Sequence, residues 1–150
     1  MRMLTEAVEV GVNEGVNANS LLNEWWHGPL HLRLVELDPG KEPLIRQNIR
    51  HWDNDFNGGN AWQLYLGDGF EIAKQFADGF FDYVYIDDDH NYEGVCKSIA
   101  AWWPKVKQGG FFAGHDWACD TVEWAVREFA HREQLKIQLA EEDWWIVRPY

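Results

Sequence analysis

An apolar stretch at residues 80–86 ends in three carboxylates and an imidazole, those of Asp87, Asp88, Asp89 and His90. The stretch predicts a buried strand, and ligands of open α/β sheets bind just beyond the carboxyl ends of the strands. Three adjacent carboxylates do not all stay ionised unless a cation or strong hydrogen-bond donors lie nearby. This segment is therefore the leading candidate for a catalytic site, with Asp87 and His90 as its reactive members.

A second polar pair, His115 and Asp116, ends the next predicted strand at residues 111–114. If the two strands are neighbours in a parallel sheet, Asp87 and Asp116 face one another. Oxygen ligands from two strand ends suit Mg²⁺, whereas a nitrogen from His115 suits Mn²⁺, Fe²⁺ or Zn²⁺. The pattern predicts a cation site formed by Asp87, Asp116 and His115. The alternative is that the acids only cap the helices that follow.

Two glycines lie at the first predicted strand-to-helix turn, in the segment Glu9 to Gly15. Gly11 and Gly15 would let the backbone approach a ligand closely and would free amide groups to bind it. The spacing is not GxGxxG, and the GxxxxGK[ST] pattern of a P-loop is absent from the chain. The segment is therefore either a ligand-binding turn or an ordinary glycine-containing turn.

Acids follow the second and third predicted strands as well. In the segment Glu36-Leu37-Asp38-Pro39, Asp38 is placed at the strand end, where an acid accepts hydrogen bonds from the ribose of a nucleotide cofactor. Its alternative role is helix capping. Asp68, in Leu66-Gly67-Asp68-Gly69, is placed either to accept from the amine of a purine base or to cap the next helix.

The elements that must position these residues alternate between strand and helix, which predicts an α/β fold with helices on both faces of a mostly parallel sheet. Strands are predicted at residues 7–10, 31–37, 61–66, 80–86, 111–114, 135–139 and 144–147. Helices are predicted at residues 17–26, 43–51, 70–76, 91–103 and 120–131. Residues 52–60 are predicted to form a loop and Gly109-Gly110 a turn. The last two strands form an antiparallel hairpin, because residues 140–143 cannot hold a parallel crossover.

Bulk composition narrows the class of partner. The 150 residues predict one domain, and their net charge of -12 argues against nucleic acid and anionic membranes as partners. Two cysteines without a metal-binding or redox spacing, and the absence of a signal peptide or an apolar span, favour a cytoplasmic protein. Ten tryptophans, three pairs of them adjacent, predict exposed aromatic surface and self-association into a homo-oligomer.

The segment FDYVYIDDDHNYEGVCKSIAAWWPKVKQGGFFAGHDW, residues 81–117, resembles class I S-adenosylmethionine-dependent methyltransferases. More narrowly, it is similar to the small-molecule O-methyltransferases of sugar and antibiotic tailoring, which carry an IDGDHSYEGV-like motif. The resemblance extends from Glu6 to the C-terminus. It implies a Rossmann-like three-layer sandwich whose seven-stranded sheet ends in the antiparallel hairpin. It also implies a single domain over residues 1–150 without the lid helices that relatives place before the first strand.

The resemblance also implies roles for individual residues. Cofactor contacts are implied for Glu9, Gly11, Gly15, Asp38, Asp68 and Asp87. Asp87 and Asp116 correspond to metal ligands of metal-dependent relatives, and His90 to a base or a substrate contact. Two departures bear on the metal: Asp88 replaces a glycine of the motif, and His115 stands where such relatives often have an acid.

The sequence thus predicts an enzyme that uses S-adenosylmethionine, with Mg²⁺ or Mn²⁺ as a candidate cation, to O-methylate a small hydroxylated molecule. Two other classes stay open. An NAD-type Rossmann oxidoreductase would also place an acid after its second strand, although the chain has no GxGxxG. A non-catalytic module that binds the cofactor or forms oligomers would keep the fold without the chemistry.

Overall fold

The computed structural model of the chain describes residues 5–25, 28–52 and 59–150. Its strands are β1 (Thr5–Val10), β2 (Leu30–Glu36), β3 (Ala61–Leu66), β4 (Phe81–Ile86), β5 (Val106–Gly114), β6 (Gln138–Ala140) and β7 (Asp143–Val147). Its α-helices are α1 (Val16–Glu24), α2 (Glu42–Ile49), α3 (Gly69–Ala73), α4 (Tyr92–Trp102) and α5 (Asp120–Arg132). The predicted order of five strand–helix units followed by two strands is confirmed.

The strands form one sheet in the order β3-β2-β1-β4-β5-β7-β6. The pairs within β3-β2-β1-β4-β5 are parallel, and β7 runs antiparallel to both β5 and β6. The predicted seven-stranded, mostly parallel sheet with a C-terminal antiparallel hairpin is therefore confirmed. From β1 the chain passes first to β2 and β3 on one side and then to β4 and β5 on the other, which leaves a crevice at the carboxyl ends of β1 and β4.

Alternate residues of the strands build a separate core on each face of the sheet. One core, centred on Val84, Phe112 and Trp144, is covered by α3, α4 and α5. The other, which includes Leu32 and Leu34, is covered by α1 and α2. Because the sheet is covered on both faces, its central strands are rich in apolar residues, although β1 and β2 also carry charged ones. Parallel pairing brings the polar residues that follow these strands to one edge of the sheet.

The predicted turn at Gly109-Gly110 is wrong, because both glycines lie inside β5. The register between β4 and β5 shifts at this point, and Gly109 has a positive φ of 76°. A Cβ atom on Gly110 would lie 2.9 Å from the carbonyl oxygen of Asp82, so glycine allows the two strands to stay paired through the irregularity. The glycine pair is therefore a bulge within a longer strand.

Other differences are small shifts of element ends. β6 begins at Gln138 rather than at residue 135, because the preceding residues pack as a connection after α5. The predicted end of the first helix at Trp26 and residues 53–58 of the predicted loop lie outside the described residues. Cys96 and Cys119 are free thiols. None of the helices in the described ranges has the length and apolar character needed to cross a bilayer.

Candidate active site

The carboxyl ends of β4 and β5 bring four polar side chains together: Asp87, His90, His115 and Asp116, here called the acidic corner. The two strands are hydrogen-bonded neighbours up to the pair Ile86 and Gly114. The backbone N–H of Asp87 donates to the Val10 carbonyl at 2.8 Å, which fixes the start of the corner against β1. The structure therefore places Asp87 beside Asp116, as the sequence predicts.

The side chains of the acidic corner are in direct contact. Nε2 of His90 lies 2.5 Å from Oδ2 of Asp116 and 3.9 Å from Oδ1 of Asp87. Nδ1 of His115 lies 3.1 Å from the other carboxylate oxygen of Asp116. Asp116 is thus held between two imidazole rings. This arrangement can take up a proton from a bound hydroxyl and spread the resulting charge over several groups.

Burial and neighbouring charges shift the pKa values of three residues of the acidic corner. Burial, together with the nearby charge of Asp116, raises the pKa of Asp87 to about 6. Partial burial alone would raise the pKa of Asp116, but its bonds to His90 and His115 outweigh this and lower it. Partial burial alone would lower the pKa of His115, but the bond to Asp116 and the surrounding carboxylates raise it. Asp116 is therefore the carboxylate most firmly held as an anion.

The other two acids of the Asp87–Asp89 run make hydrogen bonds outside the acidic corner. The Asp88 carboxylate accepts a hydrogen bond from the buried hydroxyl of Ser98 at 2.6 Å. The Asp89 carboxylate accepts from the backbone N–H of Asn91 at 2.9 Å and so shapes the turn into α4. These bonds spread the three carboxylates over different partners and leave Asp87 as the member that reaches the acidic corner.

The donor atoms of the corner could hold a cation. Oxygens of Asp87 and Asp116 and a ring nitrogen of His90 all lie within 4.8 Å of one another. This group has the mixed oxygen and nitrogen chemistry that suits Mn²⁺ or Fe²⁺ better than Mg²⁺. It differs from the predicted set, because His90 takes the place of His115. An ion would have to replace the hydrogen bond between His90 and Asp116.

A cleft of about 270 Å³ lies next to the acidic corner, over the carboxyl ends of the first strands. Its walls include Gly11, Glu36, the segment Gly67 to Phe70, and the three acids of the segment Asp87 to Asp89. Gly11 has a φ of 87°, and a Cβ atom there would lie 2.2 Å from the carbonyl oxygen of Asp87. Glycine is therefore required at this wall, because the backbone of the first turn packs directly against the segment that carries the corner.

Glu36 is a site residue that the sequence analysis missed. It is 8% exposed, and its carboxylate accepts from the backbone N–H groups of Asn13 at 2.7 Å and Asp38 at 2.9 Å. Asp38 itself is exposed, accepts from the Gly40 N–H at 2.8 Å and is absent from the cleft wall among the described residues. The contacts of Asp38 are therefore those of a capping residue, the alternative to ribose binding. Glu36 could have been found in the sequence as an acid at the last position of a buried strand.

The remaining predicted cofactor residues lie at different distances from the cleft. Asp68 borders it and also caps α3 by accepting from the Phe70 N–H at 2.7 Å, so both of its alternatives are compatible with the structure. Gly15 precedes α1 with a φ of 79° and faces Ile45 of α2. Neither Gly15 nor Glu9 is among the residues described at the cleft wall.

Glu9 is a buried carboxyl below the start of α1. It is 1% exposed, is hydrogen-bonded to Asn17 and has one oxygen, Oε2, without a hydrogen-bond partner in the described structure. Burial raises the pKa of Glu9 to about 8, with a smaller contribution from the charge of Asp87. The group is therefore protonated at neutral pH, which reduces the cost of burying it without a cationic partner.

The structure also contains a larger groove of about 530 Å³ between α4 and α5. The predicted site residues do not line it, and its floor is formed by side chains such as Ile99 and Phe129. Asp87, Gly11 and the ends of the first strands instead line the smaller cleft, and the rest of the acidic corner lies next to it. Chemistry rather than size therefore identifies the candidate site.

Comparison with known protein families gives one match: the sequence model of a family described as "Methyltransferase domain" matches residues 8–117. This range runs from within β1 to just past the end of β5, and it contains the cleft and the whole acidic corner. Among proteins with curated functions, none matches the sequence significantly.

Solved structures with the same fold share little sequence with this chain. A protein from Corynebacterium glutamicum is 11% identical, with a TM-score of 0.76, over 96% of this chain and 72% of its own. The O-methyltransferase from Bacillus cereus, solved in complex with SAH, is 13% identical, with a TM-score of 0.67, over 95% and 74%. The SAH-bound Podospora anserina methyltransferase PaMTH1 is 12% identical, with a TM-score of 0.72, over 97% and 72%. At these identities the similarity shows the fold.

Proposed function

This chain belongs to the family of methyltransferase domains, and from this premise we propose that it transfers the methyl group of S-adenosylmethionine to a hydroxyl group of a small molecule. The observation that carries the proposal is the position of the His90–Asp116 pair beside a cleft walled by the glycine turn and Glu36. A cofactor in the cleft would have a proton-accepting pair next to it. The NAD-type alternative does not fit the family.

The residues of the cleft fit an adenosyl cofactor. Glu36 is anchored by two backbone N–H groups, and each of its oxygens keeps a lone pair with which it could accept from ribose hydroxyls. Gly11 lets the first turn pack against the Asp87 backbone, and Asp68 and Phe70 also line the cleft. When bound, S-adenosylmethionine supplies an electrophilic methyl group on a sulfonium. We therefore assign to Glu36 the ribose contact that the sequence analysis assigned to Asp38.

His90 is the proposed base. An imidazole exchanges protons near neutral pH, and His90 is exposed and therefore open to an acceptor molecule. Its contact with the Asp116 carboxylate would fix the ring and stabilise the imidazolium that forms when the acceptor hydroxyl loses its proton. Asp87, which lies both at the cleft wall and at the corner, would orient the acceptor relative to the cofactor.

A cation is a further part of the proposal. Asp87, His90 and Asp116 would hold Mn²⁺, which their mixed oxygen and nitrogen donors suit better than Mg²⁺. His115, which contacts Asp116, is the alternative nitrogen ligand. Such an ion supplies Lewis acidity that lowers the pKa of a bound hydroxyl group. With the ion in place, His90 would act as a ligand rather than as the base. The dependence of the rate on added metal separates the two versions.

A structural neighbour supports an oxygen atom as the methyl acceptor. The Bacillus cereus protein is an O-methyltransferase solved with SAH, and its fold extends over nearly all of this chain. The exposed position of His90 is compatible with a small hydroxylated acceptor that approaches from solvent.

We propose self-association as well, because Trp124 on α5 is 64% exposed and Phe111 on β5 is 45% exposed. Sedimentation velocity would test it, and a monomer at high concentration would contradict it.

The proposed function is tested in two steps. The first compares the thermal stabilisation given by S-adenosylhomocysteine with that given by NAD, and we expect only the former to stabilise the protein. The second measures transfer of radiolabelled methyl groups to a panel of sugars, phenols and polyketides, with and without Mn²⁺. Binding of S-adenosylhomocysteine without turnover on the whole panel would favour the non-catalytic module. No binding of S-adenosylhomocysteine would contradict the proposal.

A further inference from the structure

Asp143 connects the C-terminal hairpin to the acidic corner. The antiparallel register pairs Gly114 of β5 with Trp144 of β7, so Asp143 lies opposite His115 at the edge of the sheet. The indole N–H of Trp144 donates to the carbonyl oxygen of His115 at 3.2 Å, which fixes the backbone at this point. The hairpin therefore brings a carboxylate close to His115 of the acidic corner.

A buried tyrosine holds the Asp143 carboxylate. The hydroxyl group of Tyr85 donates to Oδ1 of Asp143 at 2.8 Å, and Tyr85, in the central strand β4, is only 6% exposed. Burial and the Asp143 carboxylate raise the pKa of Tyr85, so the hydroxyl keeps its proton and stays a donor. Without this bond, the half-exposed Asp143 side chain at the end of a hairpin would be free to rotate into water.

From Asp143 the contacts continue to the proposed base. Oδ1 of Asp143 lies 4.0 Å from Nε2 of His115, whose other ring nitrogen lies 3.1 Å from Asp116. Asp116 in turn contacts His90 at 2.5 Å. The imidazole of His115 is therefore placed between two carboxylates. The separation of 4.0 Å is too long for a hydrogen bond, so Asp143 would act on the ring through its charge, which favours the orientation that keeps Nε2 towards Asp143.

We propose that Asp143, fixed by Tyr85, is a positioning residue that sets the orientation of His115 and, through Asp116, that of His90. The inference rests on the proposed methyl transfer. Asp143 is not among the residues that line the cleft in the described part of the chain, so it should act on turnover and not on cofactor affinity. The expected loss is about tenfold in kcat, the lower end of what removal of such an orienting partner costs.

The test compares Asp143→Asn, Asp143→Ala, Tyr85→Phe and the double variant of Asp143→Asn with Tyr85→Phe. The Asn variant keeps an acceptor for the tyrosine, so we expect it to retain more activity than the Ala variant. The kcat of the double variant should be no lower than that of the slower single variant, because both substitutions disrupt the same Tyr85–Asp143 hydrogen bond. Glu142→Gln is the matched control, because Glu142 lies in the same turn. Among the described residues its hydrogen bond is that of the backbone carbonyl, which accepts from the Trp117 N–H.

Two further measurements separate positioning from a general structural role. Calorimetry with S-adenosylhomocysteine should give the same Kd for all variants. ¹⁵N NMR of the histidine rings should show changed chemical shifts of the His115 ring nitrogens in Asp143→Asn and unchanged shifts in Glu142→Gln. Equal losses of kcat, cofactor affinity and Tm would overturn the inference, as would unchanged His115 signals. If the wild-type protein shows no methyl transfer, the proposed function fails, but the NMR comparison still decides whether Asp143 orients His115.

Discussion

Oδ2 of Asp116 lies 2.5 Å from Nε2 of His90, although the two residues follow different strands. The contact forms because β4 and β5 are parallel neighbours whose carboxyl ends coincide. Asp116 has a φ of 59°, in the left-handed region that costs a non-glycine residue about 1 kcal/mol or more. A strained backbone at the residue that holds two imidazole rings indicates that the surrounding fold enforces the pair.

His90→Gln should lower kcat for methyl transfer by roughly 100-fold, the typical contribution of a general base. Glutamine keeps a polar side chain but cannot take up the acceptor's proton. The Kd for S-adenosylhomocysteine should not change, because His90 is not one of the cleft-wall residues described here. His131→Gln, on the exposed end of α5, is the control. A His90→Gln enzyme with the parent rate would remove the base assignment.

Chelation tests the cation separately. If Asp87, His90 and Asp116 hold Mn²⁺, added Mn²⁺ should raise the Tm of the wild-type protein and excess EDTA should abolish methyl transfer. Asp87→Asn should cancel the Mn²⁺-dependent rise in Tm, because it removes one anionic ligand. Asp78→Asn, which changes an exposed acid outside the site, should keep the rise. Full activity in EDTA, with no effect of Mn²⁺ on Tm, would reject the cation.

The strand and helix order could be predicted from the sequence because the strands β1, β2 and β4 are rich in apolar residues and are bounded by polar turns. The same reasoning placed Asp87 beside Asp116, since neighbouring parallel strands end at one edge. The turn predicted at Gly109 and Gly110 was wrong, because glycine is common in both turns and β-bulges. Only the pairing with the neighbouring strand distinguishes the two.

Side-chain partners within the site could not be predicted in the same way. Glu36 and Asp38 are two positions apart, and only the fold shows that the first is anchored at the cleft wall while the second caps a turn. Likewise His90 and His115 both lie near Asp116, and the turn after β4 decides which one completes a ligand group with Asp87. Such choices depend on local backbone direction, which periodicity does not encode.

Glu36→Gln should weaken S-adenosylhomocysteine binding about tenfold or more, because hydrogen bonds to a charged group are worth about 1.5–3 kcal/mol. The amide also fits two backbone N–H donors less well than a carboxylate. Asp38→Asn is the matched control and should change the Kd by less than about twofold, the range of surface substitutions. Calorimetry measures both. A larger effect of Asp38→Asn would restore the assignment of the ribose contact to Asp38.

Gly11→Ala should destabilise the protein strongly and abolish cofactor binding. Its Cβ would lie 2.2 Å from a backbone oxygen of Asp87, so the glycine turn and the acidic corner would have to move apart. Gly79→Ala is the control, since Gly79 also has a positive φ, of 66°, but no atom within 4 Å of the added Cβ. Urea unfolding should show a loss of about 1 kcal/mol for Gly79→Ala and a clearly larger one for Gly11→Ala. Equal losses would contradict the close packing.

The raised pKa of Glu9 should make the stability of the protein depend on pH. Burial raises its pKa in the folded protein to about 8 from an ordinary value of 4.5. Between these values the unfolded chain has released the proton and the folded chain still holds it. The contribution of Glu9 to the free energy of unfolding is therefore fully present below pH 4.5 and is lost as the pH rises towards 8.

Glu9→Gln should remove this dependence, because an amide does not titrate and can keep the bond to Asn17. We expect the variant and the wild-type protein to differ little at pH 5, and the variant to be more stable at pH 8.5 by a few kcal/mol, since each unit of pKa shift is worth about 1.4 kcal/mol. Urea unfolding at both pH values measures the difference.

The wild-type protein and the variants must be compared at each pH, because Asp87 titrates in the same range and shapes every curve. Glu24→Gln, at the exposed end of α1, is the control. Parallel pH curves for Glu9→Gln and the wild-type protein would show that Glu9 is not a buried, protonated acid.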